Sequence, residues 1–330
     1  MNILVTGATG RVGKNLVKNL KDRGENVRAL VLPGDSGKDS LINSGIDCIS
    51  GTLSNKKVIS AAVEGIETIV HLAAVMLWDP DTEPEVFQQN IEGTFNLLQA
   101  SARSRTHMKR IFLASSDEVY PSLMARYRPI DEQHPKEPYS FYGLSKEINE
   151  RMALYYHRSC GLPITIARFA LIAEAKELLS PDGWSGRFVF VEPMRKLFAA
   201  LGRNDAVEVL NSAQPGSEDT LLIALDEQGN PYLFHFCDVR DLVEGILLQL
   251  DKPEAIGQVF NLSGPAPFSY RVAVEELHKR TGIPYVELKI PGTPIRIQHD
   301  ISKAKSVLGY QPKFDILKVI DSAMNDEKLV

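Results

Sequence analysis

Short apolar runs alternate with helically spaced segments through the first half of the chain. Asn2–Thr6 is an apolar run that ends in a glycine. Over 11–23, apolar residues fall at Val12, Leu16, Val17 and Leu20, the three-and-four spacing of a helix with one buried face. Gly24 ends it, since glycine accepts the left-handed conformation that closes a helix. The same beat predicts strands at 27–32, 46–50, 68–72, 110–114 and 164–168, and helices at 58–63, 85–103 and 141–157. Strands and helices in alternation predict an α/β fold with a parallel sheet covered on both faces. Right-handed crossovers make it doubly wound, a Rossmann arrangement, with ligands at the carboxyl ends of the strands.

The beat stops after Phe169. Residues 173–231 read as irregular, rich in Gly, Pro and charge. Runs 233–236 and 259–262 read as strands separated by a helix at 239–250, and both are expected to return to the first sheet. The expected division is a larger domain of 1–170 and 233–263 and a second, smaller one of 171–232 and 264–330, lying over the sheet's carboxyl edge.

The 330 residues, 44% hydrophobic and 24% charged, suffice for two such cores. A formal net charge of -5 offers no basic excess for nucleic acid or an anionic membrane as main partner. No stretch nears the roughly 18 apolar residues of a membrane span. The chain opens straight into a strand, without a basic leader segment. Cys48, Cys160 and Cys237 are odd in number and far apart, which predicts inert thiols in a reducing compartment. Cytoplasmic residence is the expectation. No His/Cys cluster has ligand spacing, so no metal site is expected.

The first chemical signal is Gly7-Ala8-Thr9-Gly10-Arg11-Val12-Gly13, between the first strand and the first helix. The first glycine permits the tight turn, the second a close approach of backbone to a pyrophosphate, and the third tight helix–strand packing. The helix N-terminus adds free N–H groups and partial positive charge. Gly7, Thr9, Gly10, Arg11, Val12 and Gly13 are therefore candidates to hold a nicotinamide dinucleotide. NAD or NADP is left open. The second strand ends in Ala29-Leu30-Val31-Leu32-Pro33, with neither the acid expected for a ribose hydroxyl nor an arginine for a 2′-phosphate. Arg11, Arg28 and Lys38 suit either a 2′-phosphate or solvent.

The second signal is Tyr142-Gly-Leu-Ser-Lys146 at the start of a helix. Residues four apart share a helical face, and an ammonium there is expected to favour phenolate, making Tyr142 an acid/base. Lys146 could also hold a nicotinamide ribose. Strand five runs into Ser116-Asp117-Glu118-Val119-Tyr120, which puts Ser116 at a carboxyl end, ready to bond a substrate hydroxyl.

With these motifs the chain resembles the extended short-chain dehydrogenase/reductase family of sugar epimerases and dehydratases. The resemblance spans nearly the whole chain. It takes in His71-Leu-Ala-Ala74, Asn90-Ile-Glu-Gly-Thr94, His235-Phe-Cys-Asp238, Asn261-Leu-Ser-Gly264, Asp300-Ile-Ser-Lys303 and Leu308-Gly-Tyr310. It implies that the larger domain binds NAD, slightly favoured over NADP, and the smaller one the substrate. It also implies that Leu53, Leu72, Ala73 and Ala74 join the cofactor site, that Asn90 supports the active-site helix, and that the protein is a homodimer through 85–103 and 141–157. The run Ser116-Asp117-Glu118-Val119-Tyr120 is similar to that of dTDP-glucose 4,6-dehydratases. There the aspartate acts as acid on the leaving hydroxyl and the glutamate as base on the adjacent carbon, which implies those roles for Asp117 and Glu118.

The chain departs from the family pattern at four places: Pro121 stands for a glycine, Ile172-Ala-Glu174 for Tyr-Gly-Pro, Thr52 for an aspartate, and Pro231 for a diphosphate-binding arginine. Either Arg187, Arg195, Lys196 or Arg203 compensates for the last, or the substrate carries no nucleotide at all. Three functions stay open at this point: a sugar epimerase or dehydratase working by transient hydroxyl oxidation, a net dehydrogenase or reductase of a smaller sugar, lactone or hydroxy compound, and a non-catalytic dinucleotide sensor.

Overall fold

The computed structural model describes residues 1–104, 107–212 and 219–327. Strands β1 (Asn2–Thr6), β2 (Asn26–Val31), β3 (Asp47–Ser50), β4 (Thr68–His71), β5 (Arg110–Ser116) and β6 (Ile164–Phe169) alternate with helices. After them come β7 (Leu171–Ala173), β8 (Leu221–Leu225), β9 (Leu233–Phe234), β10 (Phe236–Asp238), β11 (Val259–Leu262), β12 (Phe268–Ser269) and β13 (Tyr285–Lys289). A seven-stranded parallel sheet has the order β3-β2-β1-β4-β5-β6-β11. The chain runs outward from β1 to β3 and then crosses back to β4. The switch in direction lies between β1 and β4, where a doubly wound sheet opens a crevice at its carboxyl edge. The expected fold class is the observed one.

Burial explains why the middle strands lack polar alternation. Ile3, Leu4 and Val5 of β1 and every residue of β5 are buried, because helices cover both faces. The helix Arg11–Asp22 buries the predicted Val12, Leu16, Val17 and Leu20, together with Gly13.

The chain forms two compact units. One comprises Met1–Phe169, Leu242–Leu262 and Asp300–Tyr310; the other comprises Ala170–Asp241, Ser263–His299 and Gln311–Val330. Residues 300–310 join the first unit because Asp300 N–H donates to the Ile130 carbonyl at 2.8 Å and the Asn261 amide donates to the Asp300 carbonyl at 3.2 Å. A pattern of apolar spacing carries no trace of such tethers.

Three expectations are corrected. The run 233–236 does not return to the central sheet: β9 pairs with β12 and β10 with β7. The outer edge of β6 is already taken by β11, so β10 joins β7, the short strand one residue beyond β6. Residues 173–231 are not irregular throughout, since they contain the helices Val191–Ala200 and Asn204–Ser212 and the fully buried β8, which pairs with β13. Val191, Met194 and Phe198 carry helical spacing there, interrupted to the eye by Pro193, which the first turn of a helix tolerates. Lastly, 85–103 is not uniformly α-helical: Glu83–Val86 and Gly93–Arg103 flank a π-helical stretch, Phe87–Glu92.

Candidate active site

At the switch point the glycines do what their spacing requires. Gly7 has a positive φ of 71°, and a Cβ on it would stand 2.8 Å from the Ala73 nitrogen. A Cβ on Gly13 would stand 2.0 Å from the Gly7 carbonyl oxygen. On Gly10 it would meet only that same oxygen, at 3.4 Å, so this face of the turn stays open. Gly10 is the N-cap of Arg11–Asp22 and contributes no side-chain cap, which leaves helix N–H groups for an anion. The end of β4 lies alongside, with Leu72 N–H donating to the Thr6 carbonyl and Ala73 N–H to the Thr6 hydroxyl, each at 3.2 Å. His71 is wedged between the Thr6 and Thr94 hydroxyls, and burial pushes its imidazole down to about 3, which keeps it neutral. The cradle fits a nicotinamide dinucleotide.

Across the sheet, β5 delivers Ser116 and the helix Phe141–Cys160 delivers Tyr142 and Lys146. Ser140 caps that helix, its hydroxyl accepting from Gly143 N–H at 2.9 Å. Gly143 has to be glycine, for a Cβ would stand 2.4 Å from the Glu118 carbonyl. The Lys146 ammonium lies 5.6 Å from the Tyr142 ring centroid and donates to the Ala114 carbonyl at 3.0 Å. Burial lowers it to about 8, against the opposing pull of Glu150. The phenol departs from expectation. Burial and the carboxylate of Glu118 push Tyr142 up, a hydrogen bond with the Ser116 hydroxyl pulls it down, and Asp117 raises it further. In the protein alone Tyr142 is thus held as phenol rather than phenolate, because desolvation and the two neighbouring carboxyls outweigh the Ser116 hydrogen bond.

The two acids have different surroundings. Asp117 is raised to about 7, first by burial and then by the neighbouring Glu118 charge, while the Ser116 hydroxyl donates to it at 3.4 Å. Glu118 is held by donors: the Ser140 hydroxyl at 2.6 Å and the Trp78 indole N–H at 3.1 and 3.3 Å from its two oxygens. An acid that keeps its proton up to about pH 7, beside a second one held by hydrogen-bond donors, is the arrangement that lets adjacent carboxyls play opposite parts.

Supporting groups fix the frame. The Asn90 amide donates to the Val75 carbonyl at 2.9 Å and the Ser145 hydroxyl at 3.1 Å, and its oxygen accepts from Val75 N–H at 2.8 Å. Beneath β5, Ser115 donates to Glu150 at 2.7 Å, and Arg168 makes a two-pronged pair with Glu150 at 2.8 Å.

Not every candidate cation gathers here. Arg28 is spent elsewhere, bonding Asp47 at 2.8 Å and the Glu64 and Ala62 carbonyls at 2.8 and 3.2 Å behind the helix Lys56–Val63. Leu53 is 6% exposed and packs in the core, so only its backbone, whose carbonyl accepts from Asn96, has another partner. Arg187, Arg195, Lys196 and Arg203 belong to the second unit. There Arg187 stacks on Trp184, Arg195 and Lys196 pair with Glu192, and Arg203 donates to the Pro291 and Thr293 carbonyls.

Two residues escaped the sequence reading. Asp35 accepts from the Thr9 hydroxyl at 2.6 Å and from Gly37 N–H at 2.8 Å, which brings a carboxylate to the glycine loop. Its signal was an acid four residues beyond β2 instead of at its end. Trp78 lies in a segment with no periodicity to mark it.

The sequence pattern of the NAD dependent epimerase/dehydratase family matches residues 3–175, more than half of the chain. The chain belongs to this family. Its fold matches a short-chain dehydrogenase/reductase superfamily protein of Agrobacterium tumefaciens solved with bound NAD, at 32% identity and a TM-score of 0.89 over 100% of this chain and 98% of that one. A Bacillus subtilis (strain 168) relative, named as the uncharacterized UDP-glucose epimerase YtcB, is 28% identical across 94% of this chain and 93% of its own. DesIV, a dTDP-glucose 4,6-dehydratase of Streptomyces venezuelae with NAD and TYD bound, shares the fold at 21% identity and a TM-score of 0.74, covering 100% of this chain and 97% of its own. Within this family the chain is an extended short-chain dehydrogenase/reductase, an enzyme of the epimerase/dehydratase type. Among the described residues no helix is long and apolar enough to cross a membrane, and no three or more His, Cys, Asp or Glu side chains group to hold a metal ion.

Proposed function

We propose that the protein is an NAD-dependent sugar-nucleotide epimerase or dehydratase that oxidises a ring hydroxyl transiently. The convergence of Ser116, Tyr142 and Lys146 in the first unit carries this reading. Ser116 steadies the substrate hydroxyl, Tyr142 takes its proton once gathered positive charge has favoured its phenolate, and Lys146 supplies part of that charge. When bound, the nicotinamide supplies positive charge and a hydride acceptor that returns what it takes. A carbonyl so formed acidifies the neighbouring C–H. Glu118 then removes that proton, and Asp117, protonated below about pH 7, supplies one to the departing hydroxyl, so that water leaves.

We assign the cofactor to the first unit, through Gly7, Thr9, Gly10, Arg11, Val12, Gly13, Leu72, Ala73, Ala74, Tyr142 and Lys146, with Leu53 contributing backbone only. We assign substrate binding as the role of the second unit. NAD is preferred to NADP, because Asp35 sets a carboxylate where a 2′-phosphate would be repelled and Arg28 is spent on a helix end. Exposed Phe87, Phe95, Leu144 and Tyr155 on the segments 85–103 and 141–157 favour a homodimer. Three free thiols favour the cytoplasm.

The test is turnover of UDP-glucose, UDP-glucuronate and dTDP-glucose with catalytic NAD. Product without net NADH is the expected result. Tyr142→Phe should lower kcat by at least about a thousandfold while the NADH Kd changes less than about twofold. Stoichiometric NADH would overturn transient oxidation in favour of a net dehydrogenase, and an active Tyr142→Phe protein would remove the phenol from the chemistry.

A further inference from the structure

Trp78 has two faces to its surroundings. Its indole N–H is shared between both oxygens of Glu118, at 3.1 and 3.3 Å, and its ring meets Tyr142 nearly edge-on, with centroids 6.2 Å apart and planes at 61°. Yet 47% of the residue remains exposed. Leaving that much indole in water beside a reactive phenol costs free energy that burial elsewhere would recover. An indole nitrogen only donates, so it has nothing to offer a substrate hydroxyl once it is bonded to the carboxylate. What remains exposed is apolar indole surface, bordered by the Glu118 carboxyl, the Ser140 hydroxyl bonded to it and the Tyr142 ring.

A pyranose matches that border: its axial C–H groups make an apolar face, and its hydroxyls project around the rim. We propose that Trp78 is a positioning residue with a double role, its N–H fixing the Glu118 carboxylate against Tyr142 and its exposed face seating the hexose ring of the substrate. This rests on the sugar reading above. Phenylalanine would keep the platform and lose the pin; alanine would lose both.

Trp78→Phe should lower kcat about tenfold with KM changed less than about twofold, the loss expected when a carboxylate forfeits one donor. In a Glu118→Gln background the same change should cost nothing further, since the N–H acts through that carboxylate. Trp78→Ala should add a rise in KM of about fivefold, the worth of an aromatic contact. NADH affinity should hold in all of them. A Trp78→Phe loss that persists undiminished in Glu118→Gln overturns the pin, and an unchanged KM in Trp78→Ala overturns the platform.

If no sugar nucleotide is turned over, the functional reading fails, but the pin and the platform are still readable. The chain has 2 tryptophans, so Trp184→Phe leaves Trp78 as the sole tryptophan, read by excitation selective for indole. Glu118→Gln in that protein must change the emission maximum or intensity, and UDP-glucose or dTDP-glucose must quench it. Emission that ignores Glu118→Gln refutes the contact, and emission that ignores both sugar nucleotides refutes the seat.

Discussion

The glycine loop and the Ser116–Glu118 turn face the same sheet edge but are shaped by different means. In the loop, missing side chains set the geometry: a single Cβ on Gly13 would lie 2.0 Å from backbone. In the turn, side chains set it by holding one another, Ser140 and Trp78 on Glu118, and Ser116 on Asp117. At Gly7 and Gly13 the loop has no room for an added atom, whereas the acids of the turn are sensitive to changes of charge and hydrogen bonding. A cofactor common to a whole family suits the first construction, and a reaction that varies within the family suits the second.

The largest break should come from Gly13→Ala, because the clash is with backbone and cannot be relieved by a rotamer. NADH affinity should fall by at least about a hundredfold, equivalent to roughly 3 kcal/mol, as read by fluorescence titration alongside circular dichroism. Native affinity in that variant would mean that the loop is not the cradle.

Asp117→Asn sharpens the other side. The folded protein keeps a proton on Asp117 up to about pH 7, whereas an unperturbed aspartate releases it near 3.8. Between those values the native state binds more protons than the unfolded one, so stability falls as pH rises through that window. The displacement caps the effect at about 4 kcal/mol, and about 2 kcal/mol is expected because Asp117 keeps some contact with water. The asparagine variant should therefore melt higher than the native protein at about pH 8 and equally at about pH 4, while losing water elimination. A Tm gain that is independent of pH would place the strain elsewhere. Smallest is Asp35→Ala, expected to weaken NAD by about tenfold and to narrow its lead over NADP, which paired Kd measurements would show. An unaltered ratio would free Asp35 of any part in cofactor choice.

Much of the first unit was legible because its elements announce themselves: β1, the glycine turn and the helix at Arg11–Asp22 follow from apolar spacing and three glycines. Ser116, Tyr142 and Lys146 could be found because each stands at a strand end or helix start. What stayed hidden depends on groups remote in sequence. Arg28 reads as a candidate phosphate ligand until the carbonyls of residues 62 and 64 fold onto it. Tyr142 reads as an easy phenolate until its burial is known. In the second unit, β9, β10 and β12 are two or three residues long, too short for any periodicity to register.

The π-helical stretch Phe87–Glu92 carries Asn90, whose side chain ties the segment after β4 to the helix bearing Tyr142. Such a stretch packs one residue more into its turns than an α-helix does. Deleting that residue would look harmless on paper, since the helix could close up with every backbone bond restored. It would also swing everything on one side of the cut by about 100°. The apparent defect is thus a spacer, and tidying the helix would unfasten the frame on which the phenol stands.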